Sequence, residues 1–218
     1  MKLSNLLLVL FFIALPFAYA LYLFPTLPET IPTHFNASGE ADAWGDKSSI
    51  FLLPVIMGVV SLFVYFILSN AKKLDPKRYA DNDDSVMKNF GFYTVLFLAV
   101  LSLVIMYATS HPGVPIEKLI FSFLGLAFGV LGLFMPRLKQ NYFAGIRLPW
   151  TLDSQANWIA THQMAGKIWA IGGGLQFLLG LIIQGEWMIY AFMSIVILMV
   201  LIPTVYSYLF FRKEKSSK

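Results

Sequence analysis

The chain has 218 residues, 58% of them hydrophobic and 13% charged, with no cysteine and a formal charge of +4. A soluble domain is nearer half apolar and a quarter charged, so an ordinary soluble domain is excluded. The lack of cysteine excludes disulfides, thiol catalysis, cysteine metal sites and lipid attachment at cysteine. The positive balance does not point to direct nucleic-acid binding, because the basic residues sit at the ends of apolar runs, where membrane topology explains them.

Six apolar runs approach or reach the roughly 20 residues needed to cross a bilayer. They are Leu3–Phe24, Ile50–Ser69, Asn89–Ala108, Leu119–Met135, Ile168–Gln184 and Trp187–Phe211. The fourth and fifth are the shortest, and each is expected to borrow a turn from its flanking loop. In the first, Lys2, an apolar core and Ala18-Tyr19-Ala20 look like a signal peptide with its cleavage site. The run continues through Phe24, past that point, so the expectation is an uncleaved helix. Pro16, Pro54 and Pro203 are expected to kink their helices.

Of the sixteen Lys and Arg residues, only Lys47 and Lys118 fall in segments 25–49, 109–118 and 185–186. The other fourteen lie in the segment before Leu3 and in 70–88, 136–167 and 212–218. The positive-inside rule then predicts both termini in the cytoplasm. The six runs contain no Asp, Glu, Lys, Arg or His. Such groups in a bilayer usually mark proton or ion pathways, so an ion-driven pump is disfavoured. Small residues recur at helix-contact spacing, at Gly125 and Gly129 and at Gly166, Ala170 and Gly174. They allow close pairing inside the bundle or homodimerisation.

Segment 25–49 is predicted to lie outside as an extended arm or small hairpin. Pro25, Pro28 and Pro32 prevent helix, Ile31, Thr33 and Phe35 alternate with polar positions, and Asn36-Ala37-Ser38-Gly39 reads as a turn. Glu29, Glu40, Asp42 and Asp46 make it acidic, which suits a cationic peptide. His34 and Asp42 are two candidate metal ligands without a third, too few for a site; Trp44 reads first as an interface anchor. Segment 70–88 reads as a cytoplasmic linker. Its Asp81, Asp83 and Asp84 lack the loop glycine and distal glutamate of a calcium site, and Asp84 or Ser85 is expected to cap the next helix.

The longest polar interruption is Pro136–Gly166. Pro136 ends the fourth run, and Asn141–Gly145 reads as a turn. Thr151 or Asp153 is expected to cap a helix over 154–166, with Trp158, Thr161, His162 and Ala165 on one face. Two readings stand. In one, this is an interfacial cytoplasmic helix with Trp158 buried and His162 satisfied by a backbone carbonyl. In the other, Arg147, Trp150, Trp158 and His162, with Asn141, form a cytoplasmic docking surface. Catalysis is disfavoured: there are no paired carboxylates in the runs and no nucleophile motif. His34 and His162 are predicted on opposite faces of a hydrocarbon layer roughly 30 Å thick. A site combining His162 with Asp153 is the one enzymatic arrangement left open.

The run from Leu27 to Phe35, followed by Gly39, Asp42, Trp44, Gly45 and Lys47, resembles the first motif of the SdpI family of bacterial membrane proteins. The run from Pro136 to Leu152, followed by Trp158, Thr161, His162, Gly166 and Lys167, resembles its second. The resemblance covers essentially the whole chain. It implies an immunity protein that protects a bacterium from a secreted killing peptide, without catalysis and without a cofactor. It also implies a possible second partner, a small cytoplasmic repressor held at the membrane. If the resemblance extends to function, the predicted topology, and not the family, leads us to expect His34, Asp42, Trp44 and Lys47 to face the toxin, and Asn141, Arg147, Trp150, Trp158 and His162 to face the regulator. A membrane signal transducer and a small exporter of apolar peptides are the competing readings. The fold expected is an all-α integral membrane protein: one polytopic domain over 1–218, a six-helix bundle with an external arm and an interfacial cytoplasmic helix.

Overall fold

The computed structural model describes residues 3–36, 38–74, 85–183 and 185–216. Among the described residues, six helices are long and apolar enough to cross a membrane, and the protein is an all-α integral membrane protein. The helices are α1 (Leu3–Leu23), α2 (Leu52–Ser69), the single turn α3 (Ala71–Leu74), α4 (Ser85–Ser110), α5 (Ile116–Phe134), the short α6 (Pro149–Asp153), α7 (Gln155–Ile182) and α8 (Glu186–Ser216). Strands β1 (Thr30–Phe35) and β2 (Ala41–Asp46) form an antiparallel hairpin between α1 and α2. The shorter apolar runs do gain turns from their loops, since α5 starts at Ile116 and α7 at Gln155. Large side chains such as Ile171, Ile182 and Trp187 are more than 70% exposed. Water would penalise that apolar surface, whereas hydrocarbon does not.

The chain divides into two compact units, residues 1–70 with 87–120, and residues 71–86 with 121–218. In the first, α1, α2 and α4 enclose two apolar clusters. Val9, Tyr65 and Val95 form one, supported by Phe12, Ile13 and Phe92. Ala20, Leu23, Leu27, Ile31, Ile50 and Met106 form the other. Pro16 lies inside α1. Pro54 is the third residue of α2, among the N–H groups that have no intrahelical partner, so the expectation of a kink there is not required.

In the second unit, α5 and α7 run together along a glycine seam. A Cβ on Gly132 would lie 2.4 Å from the Ala170 backbone nitrogen, and one on Gly173 would lie only 2.2 Å from that of Gly129. Gly125 meets Phe177, Gly166 meets Pro136 and Gly180 meets Ser122. The expected seam is therefore occupied within the unit, with one correction. Gly174 faces open space, and Gly173 takes the place expected for it. On another face of α7, Gly172 meets Met199 of α8, Trp169 Nε1 donates to the Met199 carbonyl at 2.9 Å, and Gln176 Nε2 donates to the Phe192 carbonyl at 3.1 Å.

The expected boundary at Gly166 does not exist. Residues 155–182 form one helix, so the predicted interfacial helix is the first part of a spanning-length helix. Its N-cap is Ser154, whose Oγ accepts the Asn157 N–H at 3.1 Å, and neither Thr151 nor Asp153 plays that role. The sequence expectations concerning Lys2, Ala37, Asp81, Asp83, Asp84 and Gln184 fall outside the described residues.

Candidate functional site

Two segments hold the residues singled out from the sequence, one in each unit. In the first unit, β1 carries β-branched Thr30, Ile31 and Thr33, which favour extended backbone. Ile31 is 2% exposed and anchors the strand in the Leu23–Leu27–Ile50 cluster. The turn is closed by Asn36, whose Oδ1 accepts the N–H groups of Ser38 (3.0 Å) and Glu40 (2.9 Å). Gly39 takes φ +80°, a left-handed conformation open to glycine at little cost, and rests against the Glu117 side chain at the start of α5. The expected arm is thus a hairpin held at both root and tip.

Its outer surface is polar. His34 Nδ1 lies 2.5 Å from Asp42 Oδ1, with both side chains well exposed. Lys47 Nζ pairs with Glu29 Oε1 at 2.8 Å and lies 5.4 Å from the Phe24 ring centre. Trp44 is 62% exposed. Asp46 caps the turn at Lys47–Phe51 by accepting the Ser48 N–H at 2.8 Å. Hydrogen bonds from the Ser48 side chain and backbone hold its carboxyl below the usual carboxylate range. The structure thus brings His34, Asp42, Trp44 and Lys47 onto one hairpin. The same unit carries an apolar groove of about 600 Å³ lined by Leu15, Tyr19, Val100, Leu103, Val104, Tyr107 and Leu119.

In the second unit, the loop from Arg137 to Leu148 is tied to α6 and α7 by hydrogen bonds. Asn141 is fully buried and uses its whole amide: Nδ2 donates to the carbonyls of Lys139 and Ala144, and Oδ1 accepts from the N–H groups of Phe143 and Ala144. Gln140 Nε2 donates to the carbonyls of Thr151 and Leu152. Thr151 Oγ1 accepts the Leu148 N–H and donates to the Ile146 carbonyl. Trp158 Nε1 donates to the Leu138 carbonyl at 2.7 Å, and its ring stacks on His162 with centroids 4.0 Å apart. His162 Nε2 accepts the Ile146 N–H at 3.0 Å, which requires the hydrogen on Nδ1, 2.8 Å from the Trp158 carbonyl.

A second group joins α7 to α8. Asn157 Nδ2 donates to the Ser207 carbonyl at 3.0 Å, while its Oδ1 accepts from Thr161 Oγ1 and Ser207 Oγ. Ser207 Oγ in turn accepts from Trp150 Nε1 at 2.6 Å. The Trp150 ring stacks on Phe211 and meets the edge of Tyr208. Asn157, Thr161 and Ser207 are fully buried, where an unpaired polar group would be costly.

This placement corrects the docking expectation. Asn141, Trp158 and His162 have no exposed surface, so they shape the loop from beneath and do not touch a partner. Trp150 is half-buried and committed to α8. Arg147 is exposed, with Nη1 donating to the Tyr142 carbonyl at 2.6 Å. Both His162 nitrogens are engaged by backbone, so the arrangement with Asp153 is not formed. Asn157, Gln140 and Ser207 were not singled out from the sequence, and Thr151 only as a helix cap. Asn157 was within reach, one turn before Thr161 on the buried face; Ser207, 50 residues away, was not. Among the described residues no three His, Asp or Glu side chains lie close enough to hold a metal ion.

Residues 137–207 match the SdpI/YfhL protein family. The matched segment contains the loop, α6, α7 and most of α8, so both buried hydrogen-bond groups lie within or beside it. Residues 11–58 match a domain of unknown function, DUF1648, a stretch that takes in the hairpin and the adjoining parts of α1 and α2. The chain is 26% identical over 215 residues to the immunity protein SdpI of Bacillus subtilis (strain 168), covering 94% of this chain and 95% of that protein. An uncharacterized protein of Archaeoglobus fulgidus is 39% identical over 55 residues, 25% of this chain and 30% of its own. No solved structure matches. The resemblance to the SdpI family drawn from the two motifs is therefore borne out, and the second motif lies in the SdpI/YfhL segment but for Pro136.

Proposed function

We propose that this protein is a bacterial membrane immunity protein, protecting its cell from a secreted killing peptide by binding and not by catalysis. The observation that carries the reading is the similarity to the immunity protein SdpI along 94% of the chain. The asymmetry of Lys and Arg supports cytoplasmic termini. In that orientation the hairpin faces outward, where His34, Asp42, Trp44 and Lys47 meet the peptide. The loop at Arg147 faces inward, where Lys139, Tyr142 and Arg147 are exposed and form the docking side for a small repressor. Asn141, Trp158 and His162 support that side by holding the loop.

The test is survival of a toxin-sensitive bacterium expressing the chain, with membrane potential followed by a voltage-sensitive dye after purified Sdp-type peptide is added. Cells carrying the chain should hold their potential, and a His34→Ala/Trp44→Ala variant of verified insertion should lose it. Collapse of potential in wild-type and empty cells alike would refute immunity to this peptide. Arg147→Ala should spare protection and abolish recruitment of the regulator to membranes; loss of both would remove the division of roles.

A further inference from the structure

The two edges of the hairpin are not equivalent. Lys47 N–H donates to the Glu29 carbonyl at 2.9 Å, which makes Glu29/Lys47 a hydrogen-bonded pair. Bonded and non-bonded pairs alternate in an antiparallel ladder. With the register Thr30↔Asp46, Ile31↔Gly45 and Pro32↔Trp44, the Ile31/Gly45 pair is bonded and the other two are not. The backbone groups of Thr30, Pro32, Trp44 and Asp46 therefore point away from the partner strand. On the β1 edge the central position is Pro32, which has no N–H to offer; proline in this place blunts an edge against further pairing. On the β2 edge the same position is Trp44, with its N–H and carbonyl both directed outward.

The β2 strand is also the open one. β1 is anchored through Ile31, whereas every residue of β2 is at least partly exposed. Trp44 is 62% exposed. Asp42 and Asp46 flank it on the strand, and Glu40 precedes it. Asp42 meets His34, and Glu40 Oε2 accepts from Asn36 Nδ2 at 3.2 Å, so these carboxylates are held in place at the surface. An exposed edge with an aromatic anchor and fixed negative charge is the arrangement on which an extended chain adds as a further strand, its backbone supplying affinity and its side chains selectivity.

We propose that the outer edge of β2 takes up an extended, cationic, partly apolar peptide segment as a third strand, with Trp44 as apolar anchor and Asp42 and Asp46 selecting for Lys or Arg. This rests on the immunity reading and specifies how the hairpin would engage its peptide. Its test uses the wild-type protein in nanodiscs of zwitterionic lipid, with binding to empty nanodiscs subtracted. The probe is a ten-residue peptide of the repeat lysine-threonine-valine-threonine, which places lysine and valine by turns on one face. Two derivatives carry N-methyl groups on alternate residues, one on each edge of the peptide. A strand directs alternate N–H groups to opposite sides, so methylation on one edge removes the bonds to β2 and on the other leaves them. The expected result is binding of the parent, a loss of about tenfold or more for one derivative, and near-parent binding for the other. Failure of the parent to bind, or equal binding of all three, overturns the proposal.

In cells, Trp44→Pro should reduce protection more than Trp44→Ala, because only the first removes the outward N–H. Protection retained in Trp44→Pro overturns strand addition while leaving immunity standing. Absence of protection in the wild type is instead the failure of the immunity reading, which the peptide experiment does not depend on.

Discussion

Gly145 offers the sharpest test of the buried loop. Its φ of +106° is one that L-residues rarely adopt, and a Cβ there would fall only 2.3 Å from His162 Nε2. Gly145→Ala thus imposes two costs. The backbone strain is about 1–3 kcal/mol. Displacing the imidazole leaves the Ile146 N–H unpaired, at about 1–3 kcal/mol more. The sum, about 2–6 kcal/mol, is a large fraction of the 5–15 kcal/mol that holds a typical domain. Unfolding of the detergent-solubilised protein, followed by tryptophan fluorescence, measures the loss. His162→Ala alone also unpairs Ile146 and opens a cavity. In the double variant the alanine methyl no longer meets the ring and the N–H is lost only once, so the two losses should sum to more than the double variant shows, by about 1–3 kcal/mol. Additivity within about 0.5 kcal/mol, or a Gly145→Ala protein as stable as wild type, would refute the reasoning.

Trp150→Phe keeps the stacking on Phe211 and deletes the bond to Ser207; a loss of about 1 kcal/mol is expected, and no change in unfolding would mean that the bond adds nothing net. Gly173→Leu should separate α5 from α7 and lower the unfolding temperature far more than Gly174→Leu, which enters open space; equal effects would contradict the assigned seam. Asp46 is held below the usual carboxylate range by Ser48, so its capping is present throughout and above that range and lost only as pH falls through the depressed value. Hydrogen exchange at Ser48 should quicken there in the wild type and lack that transition in Asp46→Asn. Because the chain has no native cysteine, single cysteines at Thr30 and Tyr142 test orientation in intact cells: an impermeant maleimide should label the first and spare the second, and the reverse pattern would invert the topology.

Much of the fold was legible because a bilayer imposes a one-dimensional rule. A segment must be long and apolar to cross, and that property is local, so all six spanning helices could be found from residue order. Asn36 and Gly39 announced the turn for a similarly local reason. The Trp158, Thr161, His162 and Ala165 face followed from helical periodicity, and all four are buried.

What the chain alone did not reveal depends on partners distant in sequence. A polar residue reads as a docking group until its partners are known, and those of Trp158, His162 and Asn157 are the Leu138 carbonyl, the Ile146 N–H and Ser207. Burial decided between the two readings of Trp158 and His162, in favour of a buried Trp158 and a His162 bonded to a backbone carbonyl, and made Asn141 a support for the loop. The boundary expected at Gly166 failed because the helix runs on to Ile182, and Gly166 within it admits Pro136 and the Gly132 carbonyl. Likewise the choice between Gly173 and Gly174 is one of helix rotation about its axis, which only packing against α5 decides. Residue order set which segments cross and where they turn; tertiary structure decided which polar groups are spent inside and which remain free to meet a partner.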